Sequence, residues 1–239
     1  YKQQVNDRYS FEVTAFYKDI RDLLGTEFIT TYNGAEYPRL TNVDFGSVMG
    51  LTLVLDQRRI GHLTTNLNYT WERALGQASD PNETATRAAL GEDARPRVVP
   101  LDWDQRHTLN LTTTMATPRS YSVSAIFRLS SGQPYTPASE VGLGSGFNHN
   151  SGRKPMSFSI DLRAEKKMTS SRFDASLFGR IFNLTDTRFF NGGVFDTSGS
   201  PYYSRFPTKD IAALQDPTRL YTPRRVEIGI SLAPGSTKD

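Results

Sequence analysis

Apolar residues recur at every second position through most of the chain. Phe11, Val13, Ala15 and Tyr17 alternate with Glu12, Thr14 and Lys18, Phe16 being the exception. A period of two puts the apolar set on one face of a β-strand. Val43, Phe45, Met49, Leu51, Leu53 and Leu55 continue the rule opposite Asp44, Thr52 and Asp56, with Gly46 and Gly50 permitting bends. Leu63, Leu67, Tyr69 and Trp71 then stand against Thr64, Asn66, Asn68, Thr70 and Glu72. The pattern returns in Leu109, Leu111 and Met115, in Tyr121, Val123, Ala125, Phe127 and Leu129, and in Phe158, Ile160, Leu162 and Ala164. It closes with Phe173, Ala175, Leu177 and Ile181, and with Val226, Ile228, Ile230 and Leu232. Eight strands are predicted. Their apolar faces are expected to hold no charge, whereas the opposite faces carry Arg106, Arg128, Asp161, Arg163, Glu165, Asp174, Arg180, Arg225 and Glu227.

Connection lengths give an independent signal. Tight links are predicted at Val5–Arg8, Arg58–Gly61, Thr117–Ser120 and Met168–Ser171, where Asn6-Asp7, Thr117-Pro118 and Ser170-Ser171 form turns readily. Long links rich in Gly, Pro, Asn, Asp and Ser are predicted at 22–38, 73–102, 131–155 and 185–222. Short and long alternate, which in an antiparallel meander puts all tight turns at one end of the sheet and all long loops at the other.

Two architectures fit such strands. A soluble sandwich or barrel turns the apolar face inward; an outer-membrane barrel turns it to lipid and lines its lumen with the polar face. Four details favour the membrane version. The stretches run about 9–12 residues, the length that crosses a tilted bilayer. Tyr17, Tyr69, Trp71, Tyr121 and Phe173 lie toward strand ends, where interface girdles sit. Short turns at one end and long loops at the other match such barrels, and so does a low mean hydropathy, here −0.49. No run approaches the 18 or so apolar residues of a membrane-spanning helix.

Composition removes other classes. The absence of cysteine excludes disulfides, thiolate metal sites and a Cys nucleophile. With 28 Lys+Arg against 25 Asp+Glu and no basic block, a nucleic-acid partner is not expected. His62, His107 and His149 fall at a turn, a strand and a long loop, a poor basis for a shared metal site. Asp102, Asp104 and His107 cluster where a strand begins and offer oxygen ligands, but a hydrogen-bonded rim explains them more simply. Gly142–Gly146 has the glycines of a phosphate loop without the strand and helix that such a loop needs. No serine sits in a nucleophile elbow. The sequence thus predicts no enzyme, no cofactor and no metal. Among the polar-face charges, Asp161, Arg163 and Glu165 are expected to pair with Asp174 and Arg180 across to the next strand.

Seven stretches, in order, resemble a known family. They are Tyr9–Leu24, Thr41–Gly46 leading to Gly50–Leu53, Asn68–Trp71, Asp104–Asn110, Gly132–Pro137, Ile181–Asp186 and Arg224–Ile228. They are similar to the C-terminal barrel portion of TonB-dependent outer-membrane receptors, in particular the Oar-like branch whose members carry a carboxypeptidase-regulatory-like domain. The resemblance implies an antiparallel up-and-down transmembrane β-barrel of about 22 strands with a plug inside. On this reading residues 1–239 are a C-terminal arc of about eight strands, the plug and earlier strands lying outside the chain. The implied function is TonB-dependent uptake of a scarce nutrient at the outer membrane of a Gram-negative bacterium. Implied partners are outer-membrane lipid, the protein's own N-terminal plug, the TonB complex and an extracellular cargo. Such barrels usually end on an aromatic residue, whereas here Leu232 is followed by seven further residues.

Cargo recognition is expected in the long loops, where Tyr32, Tyr37, Tyr135, Phe147, Phe189, Phe190, Tyr202 and Tyr203 offer aromatic surface for sugars, peptides or chelates. The rival readings are a structural or adhesive outer-membrane barrel that binds a partner protein or cell surface, and a soluble barrel with an apolar ligand. The turn at Val5–Arg8 needs a strand before it, of which the chain holds only Tyr1–Gln4, so the chain is expected to begin inside a hairpin.

Overall fold

A computed structural model describes residues 1–78, 82–89, 97–118, 120–138, 149–169, 173–189 and 192–234. In chain order it contains β1 (Lys2–Asn6), β2 (Tyr9–Thr30), β3 (Glu36–Ile60), β4 (Leu63–Gly76), α1 (Glu83–Ala89), β5 (Val99–Pro100) and β6 (His107–Thr117). There follow β7 (Tyr121–Ser130), β8 (Pro134–Tyr135), β9 (Gly152–Arg153), β10 (Ser157–Thr169), β11 (Phe173–Phe182), α2 (Ile211–Leu214) and β12 (Arg225–Pro234). The eight long strands fall on the eight stretches of alternation. Among the described residues no helix is long and apolar enough to cross a membrane.

The long strands form one antiparallel sheet in the order β1-β2-β3-β4-β6-β7-β10-β11-β12, each hydrogen-bonded to its neighbour in sequence. No ladder joins β1 to β12 among the described residues, so the sheet is an open arc. Its tight turns share one end. Asn6 Oδ1 accepts the N–H groups of Arg8 (2.8 Å) and Tyr9 (2.9 Å), closing the first. Gly61, at φ 61°, makes the second, and the N–H of Ser120 reaches the carbonyl of Thr117 in the third. The fourth joins Thr169 to Phe173, and residues 170–172 lie outside the described residues.

Register fixes the faces. Val13, Leu53, Tyr69, Leu109, Leu129 and Phe158 lie side by side across six strands, as do Thr14 and Thr52 with Thr70 and Thr108 on the other face. Among the described residues the apolar face has no second layer. Ile228 is 78% and Leu232 72% exposed. A soluble sandwich would bury these side chains; a membrane barrel presents them to lipid, so the soluble reading is set aside. On the polar face Phe16 lies over Gly50, and Phe178 over Gly229, its directly opposite neighbour. A Cβ on either glycine would come within 2.4 Å of the ring. The apparent exception in the first strand is thus a ring filling a glycine's hollow.

Three expectations are corrected. The link at 22–38 is no loop: β2 and β3 run on as a hairpin arm to a turn at residues 31–35, with Gly34 at φ 78° and Glu27 paired to Arg39 at 3.0 Å. Irregular pairing between Ile20 and Leu24 shifts the alternation there and hides the strands. The polar-face charges also pair differently. Arg163 and Arg180 are direct cross-strand neighbours and repel, so Arg163 takes Glu165 (3.0 Å), Arg180 takes Glu227 (3.7 Å) and Asp161 takes Arg128 (2.7 Å). Finally, Lys166 stands on the apolar face between Tyr121 and Leu177. It lies near the tight-turn end, where a long stem can carry its ammonium to water.

Candidate cargo-binding surface

At the other end of the sheet the long connections lock into one another. β5 extends the ladder on the end of β4, and the chain then leaves it between Leu101 and Arg106 before β6 begins. Asp104, 0% exposed, turns inward there and accepts the N–H of Ala74 (2.8 Å), Nε of Arg106 (2.9 Å) and Nη2 of Arg153. Arg153 Nη1 also donates to the Asp104 carbonyl at 2.6 Å. Burial alone would raise the pKa of this carboxyl. The donors from Arg153, Ala74 and Arg106 outweigh it and hold the group below the usual carboxylate range. Arg153 sits on β9, so one buried charge ties the β7–β10 connection to the edge of β4.

Two asparagines repeat the device. Asn150, left-handed at φ 52°, donates from Nδ2 to the Pro100 carbonyl (2.8 Å) and Asp102 Oδ1 (2.7 Å), while Thr136 Oγ1 accepts its N–H. Asn183, also at φ 52°, donates from Nδ2 to the carbonyls of Thr187 and Thr222 and accepts the Thr187 N–H. Its own N–H goes to Asp161, so the base of the last loop is fastened at both ends to β10. Asp186 adds a bond from the N–H of Arg224. The run Asn183-Leu-Thr-Asp186 is therefore a clasp. The loops meet where the N–H of Ala138 donates to the Asp196 carbonyl, and where Tyr135 fills the space over Gly152 and Gly199.

Asp102, Asp104 and His107 do not converge. Asp102 binds Asn150, Asp104 is neutralised by two guanidiniums, and His107 Nδ1 shares a 2.8 Å bond with the Tyr69 hydroxyl. His62 lies in a turn, and His149 Nε2 stands 2.6 Å from Glu83 Oε1 of α1. The side chains of Asp102, Asp104 and His107 are each bonded within the rim.

The aromatic candidates divide. Tyr32 (109% exposed) and Tyr37 lie on the projecting arm; Tyr202 (55%) and Tyr203 (58%) lie on the last loop. Tyr135 is half-buried as a wedge, and Phe189, 3% exposed, belongs to the loop core with Phe195, over which Arg219 stacks at 4.0 Å. Phe147, Phe190 and Gly142–Gly146 lie outside the described residues. The structure adds exposed Trp103, Phe206 and Tyr221.

Because the Asp104 carboxyl titrates lower folded than unfolded, it stabilises the rim above the ordinary carboxylate pKa of about 3.9. That contribution disappears as pH falls through the depressed value. Hydrogen exchange at Ala74 and Arg153 should be flat from pH 7 to about 4.5, after correction for intrinsic rates, and accelerate in stronger acid. A steep change near pH 6 would assign the latch to histidine instead.

The model of the family described as TonB dependent receptor-like, beta-barrel, matches residues 1–184, and the chain belongs to that family. Barrels of this family are outer-membrane proteins. Among solved structures, the chain is similar to the outer membrane transporter YddB from Escherichia coli, with a TM-score of 0.57 and 10% identity over 98% of this chain and 31% of that one. It is also similar to the ferric-catecholate import receptor Fiu from K12 E. coli in its closed form, with a TM-score of 0.55 and 15% identity over 98% of this chain and 26% of that one. The chain thus spans between a quarter and a third of these structures, and at such identities the likeness shows the fold. A comparison with curated protein sequences gives no match.

Proposed function

We propose that residues 1–239 are a C-terminal arc of the barrel of an outer-membrane receptor that takes up a scarce nutrient, its loops binding cargo outside the cell. The observation that carries this is the interlocked rim. Asp104, Asn150 and Asn183 fasten the bases of three connections that exceed what strand closure requires, and Tyr202 and Tyr203 stand exposed on the last of them. Ordered loops with exposed aromatics are what a binding surface needs. Passage of cargo would be gated by an N-terminal plug and energised through TonB, and membership of the Oar-like branch belongs to the same proposal. Binding and gating suffice, with no bond chemistry. Fiu's cargo is not carried over, because 15% identity supports the fold and not the loops.

Deleting the gene should abolish growth on one limiting nutrient among panels of iron chelates, oligosaccharides and peptides, and loss of TonB should reproduce the defect. The projecting arm with Tyr32 and Tyr37 supports the adhesive reading instead. Lost attachment with every uptake intact would establish that one. Topology is testable independently: protease added to intact cells should cut within 83–97 or 192–209 and spare the turns at 58–61 and 117–120. Cutting only after the outer membrane is opened would invert the orientation.

A further inference from the structure

The apolar face carries a hollow that the chain does not fill. Gly50, Gly229 and Gly179 lie inside the paired strands with a bulky side chain directly opposite: Phe16, Phe178 and Ile228 respectively. At the first two a phenylalanine ring occupies the missing Cβ position. At Gly179 the nearest atom to that position is the Glu227 carbonyl oxygen, 4.0 Å away, and the backbone is not left-handed. Neither packing nor φ demands a glycine here. With Ala164 directly beside it, Gly179 floors a cavity of about 300 Å³, walled by Val123, Leu162, Ile181 and Ile228. By strand alternation these side chains all belong to the apolar face. The volume lies at the small end of ligand sites.

The second observation is Lys166. Along β10 the apolar face reads Phe158, Ile160, Leu162, Ala164, Lys166 and Met168. Lys166 therefore stands one step from the hollow toward the tight-turn end. It is exposed, its cross-strand neighbour is Tyr121, and no carboxylate pairs with it among the described residues. Other charges on the same alternation, such as Asp19 on β2 and Arg73 on β4, lie toward the long-loop end, whereas Lys166 lies toward the tight turns. An apolar trough ending in a lone cation and a tyrosine hydroxyl matches an acyl chain joined to a phosphate.

We propose that this face binds an anionic glycerophospholipid of the periplasmic leaflet, one acyl chain lying over Gly179 and Ala164 and the phosphate accepting from Lys166 and Tyr121. The inference rests on the membrane-spanning reading above. Its test uses the complete receptor, purified in mild detergent and titrated with phosphatidylglycerol or phosphatidylethanolamine while bound lipids are counted by native mass spectrometry. The unaltered protein should hold one phosphatidylglycerol about fivefold more tightly than phosphatidylethanolamine, the ratio that one lysine near an anionic headgroup supplies. Lys166→Gln should remove the preference while keeping both lipids. Gly179→Leu, which has room for its side chain, should weaken both. Equal binding of the two lipids by the unaltered protein, or unchanged binding in both variants, would overturn the proposal. A protein that fails to enter bilayers as a heat-modifiable barrel would overturn the membrane reading itself, and this site with it.

Discussion

Replacing Asp104 by Ala is expected to free the rim while leaving the barrel strands paired. Breaking a buried ion pair by removing one partner costs about 3–5 kcal/mol, because the charge left behind is uncompensated. The lower figure applies here, since Arg106 and Arg153 are each about a third exposed and regain water. Roughly 3 kcal/mol corresponds to about a hundredfold faster hydrogen exchange at Ala74 and at residues 152–153. Exchange at Leu67 and Phe127, deep in the ladders, should not change. Asp104→Asn is the informative companion. It keeps an acceptor for the Ala74 N–H but not the charge, so it should fall between the two. Equal exchange in Asp104→Ala and the parent would mean that the loops are held by something other than this latch.

An arginine at Leu67 is expected to be the most damaging single change within the strands, at about 2–4 kcal/mol if the site lies near the bilayer midplane. Leu67 lies in register with Leu55 and Leu111 in the middle of the apolar face. Val123→Arg, closer to the tight turn, should cost less because the penalty falls toward the interface. Asn66→Arg points to the polar face, where Asn66 already bonds Asp56 and the new guanidinium would find the same carboxylate. It should be tolerated. Folding yield into bilayers of defined composition measures all three. Equal loss at positions 66 and 67 would contradict the assignment of faces.

The strands were legible because alternation survives wherever one face meets a uniform environment. It failed at the arm, where irregular pairing between Ile20 and Leu24 shifts the phase and neither face of residues 24–30 is uniformly apolar. Asn33-Gly34, a strong hairpin pair, was the signal available there. The polar-face charges were identified correctly and paired incorrectly, since partners depend on register: Arg163 meets Arg180, and the needed carboxylates come from Glu165 and Glu227. A hydrogen-bonded rim at Asp102, Asp104 and His107 was legible, but its partners were not. Asp104 and Arg153 are 49 residues apart, and Asn183 closes on Thr222 across 39. No local pattern reports such contacts, and for the same reason the sequence could not separate buried Phe189 from exposed Tyr203. Lys166 is hidden in the sequence because the apolar run from Phe158 reads as ending at Ala164.

The central claim is that odd positions of β4 and β7 meet lipid and even positions meet water. Because the chain has no cysteine, single cysteines at residues 65–69 and 123–127 can carry spin labels without background from this segment. In the complete receptor reconstituted in bilayers, labels at 67, 69, 125 and 127 should be accessible to oxygen and shielded from a water-soluble nickel chelate. Labels at 66, 68, 124 and 126 should show the reverse. Accessibility without a period of two, or apolar positions closed to both reagents, would contradict a lipid-facing sheet and return the chain to a soluble core.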